Sequence, residues 1–381
     1  MIIYYVLAVV LFLTAAFSYY TGKKMLKIGN HRIYFNSFLL FLIILVLYSV
    51  SSLRYGIGND YSHYMIIYNS NAFANYEWLF ALLGKLSFKV GLSFQTFIFV
   101  LNLFVYIPLA FLIDKCVKNQ YKLYSVLIFY LFNFFGASFN YIRQFPAIIM
   151  CFMFAYYLSF GYKGISKKLY VYLVAFMMAL AAVGFHKTII IAFVFVLAAK
   201  FRVINQKNVF AITLISIVLY FINPYGTVLN WIDNIIVNNV SSAMDIAWSN
   251  RLLNTGASLV NRILFFPVVI IISRAIRNNV FSLCDNNEGE FDRVSVIITY
   301  LYYLLISINL GSEMIDRILL PLYIYNIFSY PIILETSKNY KYGKIIHRIL
   351  YLTFIAIGFF VLFRQLNANV YQITPYRSIF D

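Results

Sequence analysis

The chain alternates long uncharged apolar runs with short polar breaks, and few folds are open to such a pattern. Ser37–Val50, Phe94–Ile113 and Val294–Ile308 contain no charge at all. Each approaches the roughly 20 apolar residues needed to cross a hydrocarbon layer about 30 Å thick. Lipid offers no partner to a free backbone N–H or C=O, so such runs are helical. Charged residues are only 11% of the chain, against about 25% in a soluble domain. The reading is an all-α, polytopic integral membrane protein with spans near 2–20, 34–53, 94–113, 123–139, 146–160, 169–185, 188–199, 209–222, 259–273, 294–310, 318–336 and 349–363. That makes twelve crossings in a single transmembrane domain, 1–381, with outer loops 54–93 and 223–258 capping a site.

A net charge of +17 suggests nucleic acid until its distribution is followed. Loops 21–33, 114–122, 161–168, 200–208, 274–293 and 337–348 hold twenty of the thirty Lys and Arg. Short basic loops stay in the cytoplasm. The charge is therefore a topology signal, both termini face outside, and no nucleic-acid partner is expected. The first span lacks a basic leader and a small-residue cleavage site, so it reads as a retained span rather than a signal peptide. Residues 77–92 look helical, with Lys85 and Lys89 four apart. Counting them as a span would invert everything downstream, so they read as an amphipathic helix in the outer interface. Cys116, Cys151 and Cys284 fall in cytoplasmic loops or a span, where disulfides are not expected. The four histidines show no ligand spacing, and no metal or other cofactor is expected.

With this topology the unusual polar residues collect on one face. Arg54-Tyr-Gly-Ile-Gly-Asn-Asp60-Tyr61-Ser-His63-Tyr64 ends the second span. Tyr141-Ile-Arg143-Gln144 connects the fourth and fifth, His186 sits at a hairpin tip, and Glu313-Met-Ile-Asp316-Arg317 joins two late spans. The outer segment 223–258 adds Trp231, Asp233, Asp245, Trp248 and Arg251. For each there is a plainer account. Arg54 alone could snorkel to the headgroups, Arg317 could pair with Glu313 four residues earlier, and Gly56 and Gly58 could simply permit a tight turn.

Several cations gathered at a membrane surface suit a pyrophosphate on a lipid carrier. Guanidinium groups bind phosphate oxygens bidentately and stay charged, and they stabilise charge developing on a leaving group. A nearby imidazole takes a proton from a sugar hydroxyl, and tyrosines give sugar rings a flat surface. No Asp-x-Asp pair and no phosphate-binding Walker loop is present. The acidic run Asp285–Asp292 does not have the spacing of a calcium loop.

Arg54-Tyr-Gly-Ile-Gly-Asn-Asp60-Tyr61-x-x-Tyr64, then Glu77, Arg143-Gln144, Phe185-His186 and Arg317, resembles the EpsG family of Wzy-like polysaccharide polymerases in order and spacing from residue 40 to residue 330. The resemblance implies a GT-C-like membrane fold in a bacterial inner membrane, with its site facing the periplasm or outside. It also implies undecaprenyl-pyrophosphate-linked oligosaccharides as substrates, membrane lipid around the protein, and a chain-length regulator as a further partner. On this reading Arg143 and Arg317 clamp the donor pyrophosphate, with Arg54 assisting. His186 is the preferred general base, because a carboxylate beside Arg54 is a weak base; Asp60 either orients the acceptor or serves as the base instead. Tyr61, Tyr64, Glu77, Tyr141, Gln144 and Arg251 complete the substrate-binding set. A lipid-linked oligosaccharide flippase and an O-antigen ligase are the alternatives.

Overall fold

The computed structural model describes residues 1–28, 31–160, 165–222, 269–274, 276, 288–308, 313–339 and 341–381. The outer segment 223–258, with Arg251, and most of the expected span 259–273 lie outside the described residues. The chain forms two compact units, Met1–Ile190 with Tyr330–Asp381, and Ile191–Ser329.

The first unit begins with α1 (Ile2–Thr21), a small hairpin of β1 (Met25–Ile28) and β2 (His31–Tyr34), and α2 (Phe35–Leu53). The hairpin is the one sheet among the described residues, with a lone antiparallel bridge between Arg54 and Ser378 besides. On α1 the buried positions Tyr4, Ala8, Leu11, Ala15 and Ser18 recur at helical spacing. Val6, Val9, Leu13 and Phe17 are exposed on its other side, a surface suited to hydrocarbon and not to water.

Two short helices follow, α3 (Tyr61–Asn69) and α4 (Trp78–Lys89). At twelve residues, α4 is too short to cross a bilayer. Its exposed Trp78, Leu82 and Leu86 recur four apart, which is the pattern of a helix lying in an interface. Next comes α5 (Phe94–Cys116), capped by Ser93, whose hydroxyl accepts the Thr96 N–H at 3.1 Å. It is tied to α2 by Asn102, whose amide donates to the hydroxyls of Ser51 and Ser52 at 3.2 and 2.9 Å. Hydrogen bonds of this kind between membrane helices contribute about 1 kcal/mol each.

The expected span 123–139 is two helices, α6 (Lys122–Leu131) and α7 (Phe134–Asn140), bent by 53°. Asn133 makes the break by taking a left-handed φ of 57°, and its side-chain amide donates to Gln365 at 2.7 Å. Asparagine tolerates this backbone region better than most residues. The unit is completed by α8 (Gln144–Phe160), α9 (Ile165–Phe185), the end of a later helix from Tyr330, and α15 (Gly343–Asn367). The second unit contains α10 (Ile190–Lys200), α11 (Val209–Ile222), α12 (Glu288–Ile308), α13 (Glu313–Ile324) and the start of α14 (Asn326–Ser337). In it Arg293 donates to the Ala199 and Lys200 carbonyls and pairs with Glu290.

Among the described residues five helices are long and apolar enough to cross a membrane, or six if the bent α6–α7 pair is one span. The expected crossings over 146–160, 188–199 and 209–222 are shorter apolar helices, and 169–185 is the apolar part of α9. The chain is a helical membrane protein.

The basic loops 21–33, 114–122 and 337–348 meet at one end of the first unit. The Asn36 amide donates to the Asn119 carbonyl at 2.8 Å, and Glu335 accepts from Lys118, Gln120, Tyr121 and Lys338. Arg54 closes α2 at the other end.

Candidate active site

The loop after α2 turns sharply because Gly56 and Gly58 adopt positive φ, 64° and 102°. Gly58 is needed twice over, since a Cβ there would lie 3.1 Å from Asn140 Oδ1 and 3.2 Å from the Phe139 carbonyl. From one side Asn140 Oδ1 accepts the Asn59 N–H at 2.8 Å. From the other, residues 369–381 run alongside as a strap. Tyr55 N–H donates to the Arg377 carbonyl at 3.0 Å, Gly58 N–H to Gln372 at 3.1 Å, and Ile379 N–H to Leu53 at 3.0 Å. The Tyr4 hydroxyl holds the Ile373 carbonyl at 2.8 Å, and that of Tyr376 holds Val50 at 2.9 Å.

Arg54 lies beneath this strap with 1% of its surface exposed. Its guanidinium donates to Ser51 and to the Phe139 carbonyl and sits 4.8 Å over the Phe139 ring. Burial lowers its pKa to about 10, despite Tyr106, Tyr61 and Tyr4 nearby, so it remains a cation at neutral pH. Among the described residues no carboxylate pairs with it. The expectation that Asp60 lies against Arg54 therefore fails: the glycine turn carries Asp60 away to the head of α3, half-buried and without an ion pair or side-chain hydrogen bond among the described residues. Tyr61 is buried as well, and gives its hydroxyl to Gln95 at 2.9 Å.

A second cluster stands on α3, α4, the α7–α8 turn and the α9–α10 turn. Arg143 immediately precedes α8, with Pro146 in that helix's first turn, where its missing N–H costs nothing. Gln144 is the first helical residue and is buried, not in the connection before the helix as expected. Tyr141 caps α7, its ring 5.9 Å edge-on to Tyr371. Arg143 Nε donates to the Tyr64 hydroxyl at 2.7 Å, and Nη1 donates to Glu77 Oε2. Tyr76, Tyr64 and Phe80 surround the guanidinium, their centroids 4.7, 5.6 and 5.8 Å away. Nη2 makes no hydrogen bond among the described residues, and a fifth of the side chain is accessible, 21%.

The other oxygen of Glu77 faces the α9–α10 turn. His186 Nδ1 lies 3.2 Å from Oε1 in an ion-pair contact without hydrogen-bond alignment, and the Lys187 N–H donates to the same oxygen at 3.3 Å. His186 Nε2 makes no hydrogen bond among the described residues. Burial pulls the Glu77 carboxyl up, but His186 and Arg143 overcome it and hold it at about 2. Burial likewise opposes the charge on Arg143, yet Tyr64 and Glu77 keep it above its ordinary value. At neutral pH the cluster is a cation and a carboxylate with an imidazole beside them. His63 adds a contact from its Nε2 to the Tyr76 hydroxyl at 3.2 Å.

Arg143, Glu77, Tyr64 and His186 are thus brought together, with Asp60 at the N-cap of the short helix that carries Tyr64. Arg317 is exposed on α13 of the second unit. Sequence reasoning missed Tyr76 and Phe80, two rings among 73 Phe and Tyr, and assigned no role to Asn140. It also missed the strap, which carries no charge cluster to mark it.

Residues 37–378 match the model of the EpsG family. No curated protein and no solved structure matches this chain. The match covers nearly the whole sequence and most of the strap, and the chain belongs to the EpsG family, a Wzy-like polysaccharide polymerase family.

Proposed function

With that family membership as its premise, we propose that this polymerase-type enzyme joins lipid-linked oligosaccharides at the Arg143–His186 cluster, on the outer face of a bacterial inner membrane. The donor is the growing glycan on its undecaprenyl pyrophosphate, and the acceptor is a hydroxyl of the incoming lipid-linked unit. The hydroxyl oxygen bonds to the donor's anomeric carbon, and the bond from that carbon to the diphosphate breaks. The electron pair leaves on the diphosphate oxygen, and the hydroxyl proton passes to His186 Nε2.

The observation that supports this reading is the pairing of two unused groups in one cluster: Nη2 of a caged, partly accessible guanidinium and Nε2 of a partly accessible imidazole. The guanidinium offers its free edge to phosphate oxygens and stabilises the leaving diphosphate. Asp60, whose carboxylate has no ion pair or side-chain hydrogen bond among the described residues, orients the acceptor sugar. Arg54 assists from beneath, through its hydrogen bond to the Phe139 carbonyl beside the glycine loop. In outline the fold is GT-C-like, and the basic end of the first unit faces the cytoplasm.

The test is a surface-glycan gel of a deletion strain complemented with wild type, Arg143→Ala or His186→Ala at matched membrane expression. A ladder with wild type, and a single-repeat band in the deletion and both variants, is the expected result. Loss of even the single-repeat band in the deletion would instead favour a flippase or ligase.

A further inference from the structure

We propose that Glu77 is a positioning residue that holds the phosphate-binding cation and the base of this site in one register. The proposal rests on the roles given above to Arg143 and His186. Three segments far apart in sequence meet at this one carboxylate. Oε2 takes Nη1 of Arg143 from the α7–α8 turn, while Oε1 faces Nδ1 of His186 and accepts the Lys187 N–H from the α9–α10 turn. Only 11% of the Glu77 side chain is exposed. With both oxygens engaged by protein, Glu77 has little left to offer a substrate.

Its own placement is firm. Glu77 precedes α4 with extended backbone, and its carbonyl accepts the Ala81 N–H at 2.9 Å. The first turn of α4 is wedged against α9 two residues before His186, because Gly184 has no side chain. A Cβ there would lie 2.6 Å from Trp78 and 2.7 Å from Leu79. A carboxylate beside Nδ1 favours the imidazole tautomer protonated at that nitrogen, which leaves Nε2 to accept the acceptor's proton. The same carboxylate keeps the Arg143 fork turned so that Nη2 faces outward.

An amide cannot serve both clients. Glutamine has one acceptor oxygen and one donor nitrogen, so whichever side the nitrogen faces meets another donor. Glu77→Gln therefore misplaces either the cation or the base while leaving the packing nearly unchanged.

The experiment uses the full-length protein in nanodiscs with lipid-linked repeat units, and measures kcat and donor KM. Glu77→Gln is expected to lower kcat roughly 10- to 100-fold, up to the lower end of the roughly 100- to 10,000-fold that a positioned general base supplies. In the His186→Ala background it should cost no further kcat, and in the Arg143→Ala background it should raise donor KM no further, because the paired residues act as one unit. A merely structural counter-ion would give losses that add in the His186→Ala background. Wild-type kcat and KM in Glu77→Gln, or losses that add in either background, would overturn the proposal. Full activity in Arg143→Ala and His186→Ala would overturn the underlying reading instead. If Glu77→Gln does not reach the membrane, Glu77→Asp carries the test, since it keeps both acceptors but reaches one methylene less. A fall in kcat with a rise in donor KM is expected of it, and unchanged values refute the positioning role.

Discussion

Asn140 Oδ1 accepts the Asn59 backbone N–H at 2.8 Å, so the last residue of α7 holds the glycine loop that leads to Asp60. The contact spans 81 residues of sequence and links the two clusters through one side chain. Asn140→Ala removes the acceptor. A single neutral hydrogen bond contributes about 1 kcal/mol, so a small drop in melting temperature is expected. The loss of polymer should be larger, because Asp60 is no longer held. Thermal melts alongside the glycan gel check this; a normal ladder would show that the loop is positioned without Asn140.

Gly184→Ala places a methyl group where Trp78 and Leu79 already stand. Overpacking of this kind costs roughly 1–3 kcal/mol, and here it pushes the start of α4 away from His186. Reduced kcat with normal expression is expected, partly restored by adding Trp78→Ala. A fully active Gly184→Ala enzyme would mean that the contact between α4 and α9 does not set the site.

The Glu77 carboxyl predicts a pH dependence. Its folded pKa, about 2, lies below the ordinary 4.5. The stability it contributes is therefore complete above about pH 4.5 and is lost as pH falls through about 2. The melting-temperature gap between wild type and Glu77→Gln should be constant near neutral pH and close as pH drops through that window. A gap independent of pH down to 2 would rule out the ionised carboxylate as its source.

Ending the chain at Ala368 removes the strap and uncovers Arg54. Trypsin should then cut after Arg54, a bond protected in the full-length protein by burial and by the hydrogen bonds of Tyr55 and Gly58. Sequencing the fragments of a limited digest decides the matter, and equal resistance of both proteins would mean that the loop stands without the strap.

What could be read in advance follows the range of the forces involved. Helices driven into lipid announce themselves in runs of a dozen or more apolar residues, so α1 and α2 were legible nearly to the residue, while only the apolar middle of α15 and all but the last turn of α5 were. The break at Asn133 was not, because it depends on one left-handed asparagine and on Gln365, 232 residues away. Arg143, Glu77 and His186 stood out because charge is rare in this chain. Their shared geometry did not, since a carboxylate reveals its partners only in three dimensions. Arg54 was legible as unusual but not as buried, because the strap that covers it is ordinary in composition. The aromatic cage was hidden by abundance.

The strap also has a consequence for biogenesis. Val50 and Tyr376 are separated by 326 residues, yet the loop after α2 acquires its cover only when the second of them arrives. While the intervening helices are being threaded into the bilayer, the cation at position 54 stands uncovered at the edge of the membrane. The loop therefore matures only after residue 376 has been made, and a chain ended before that residue would be unfinished here however completely its helices had inserted.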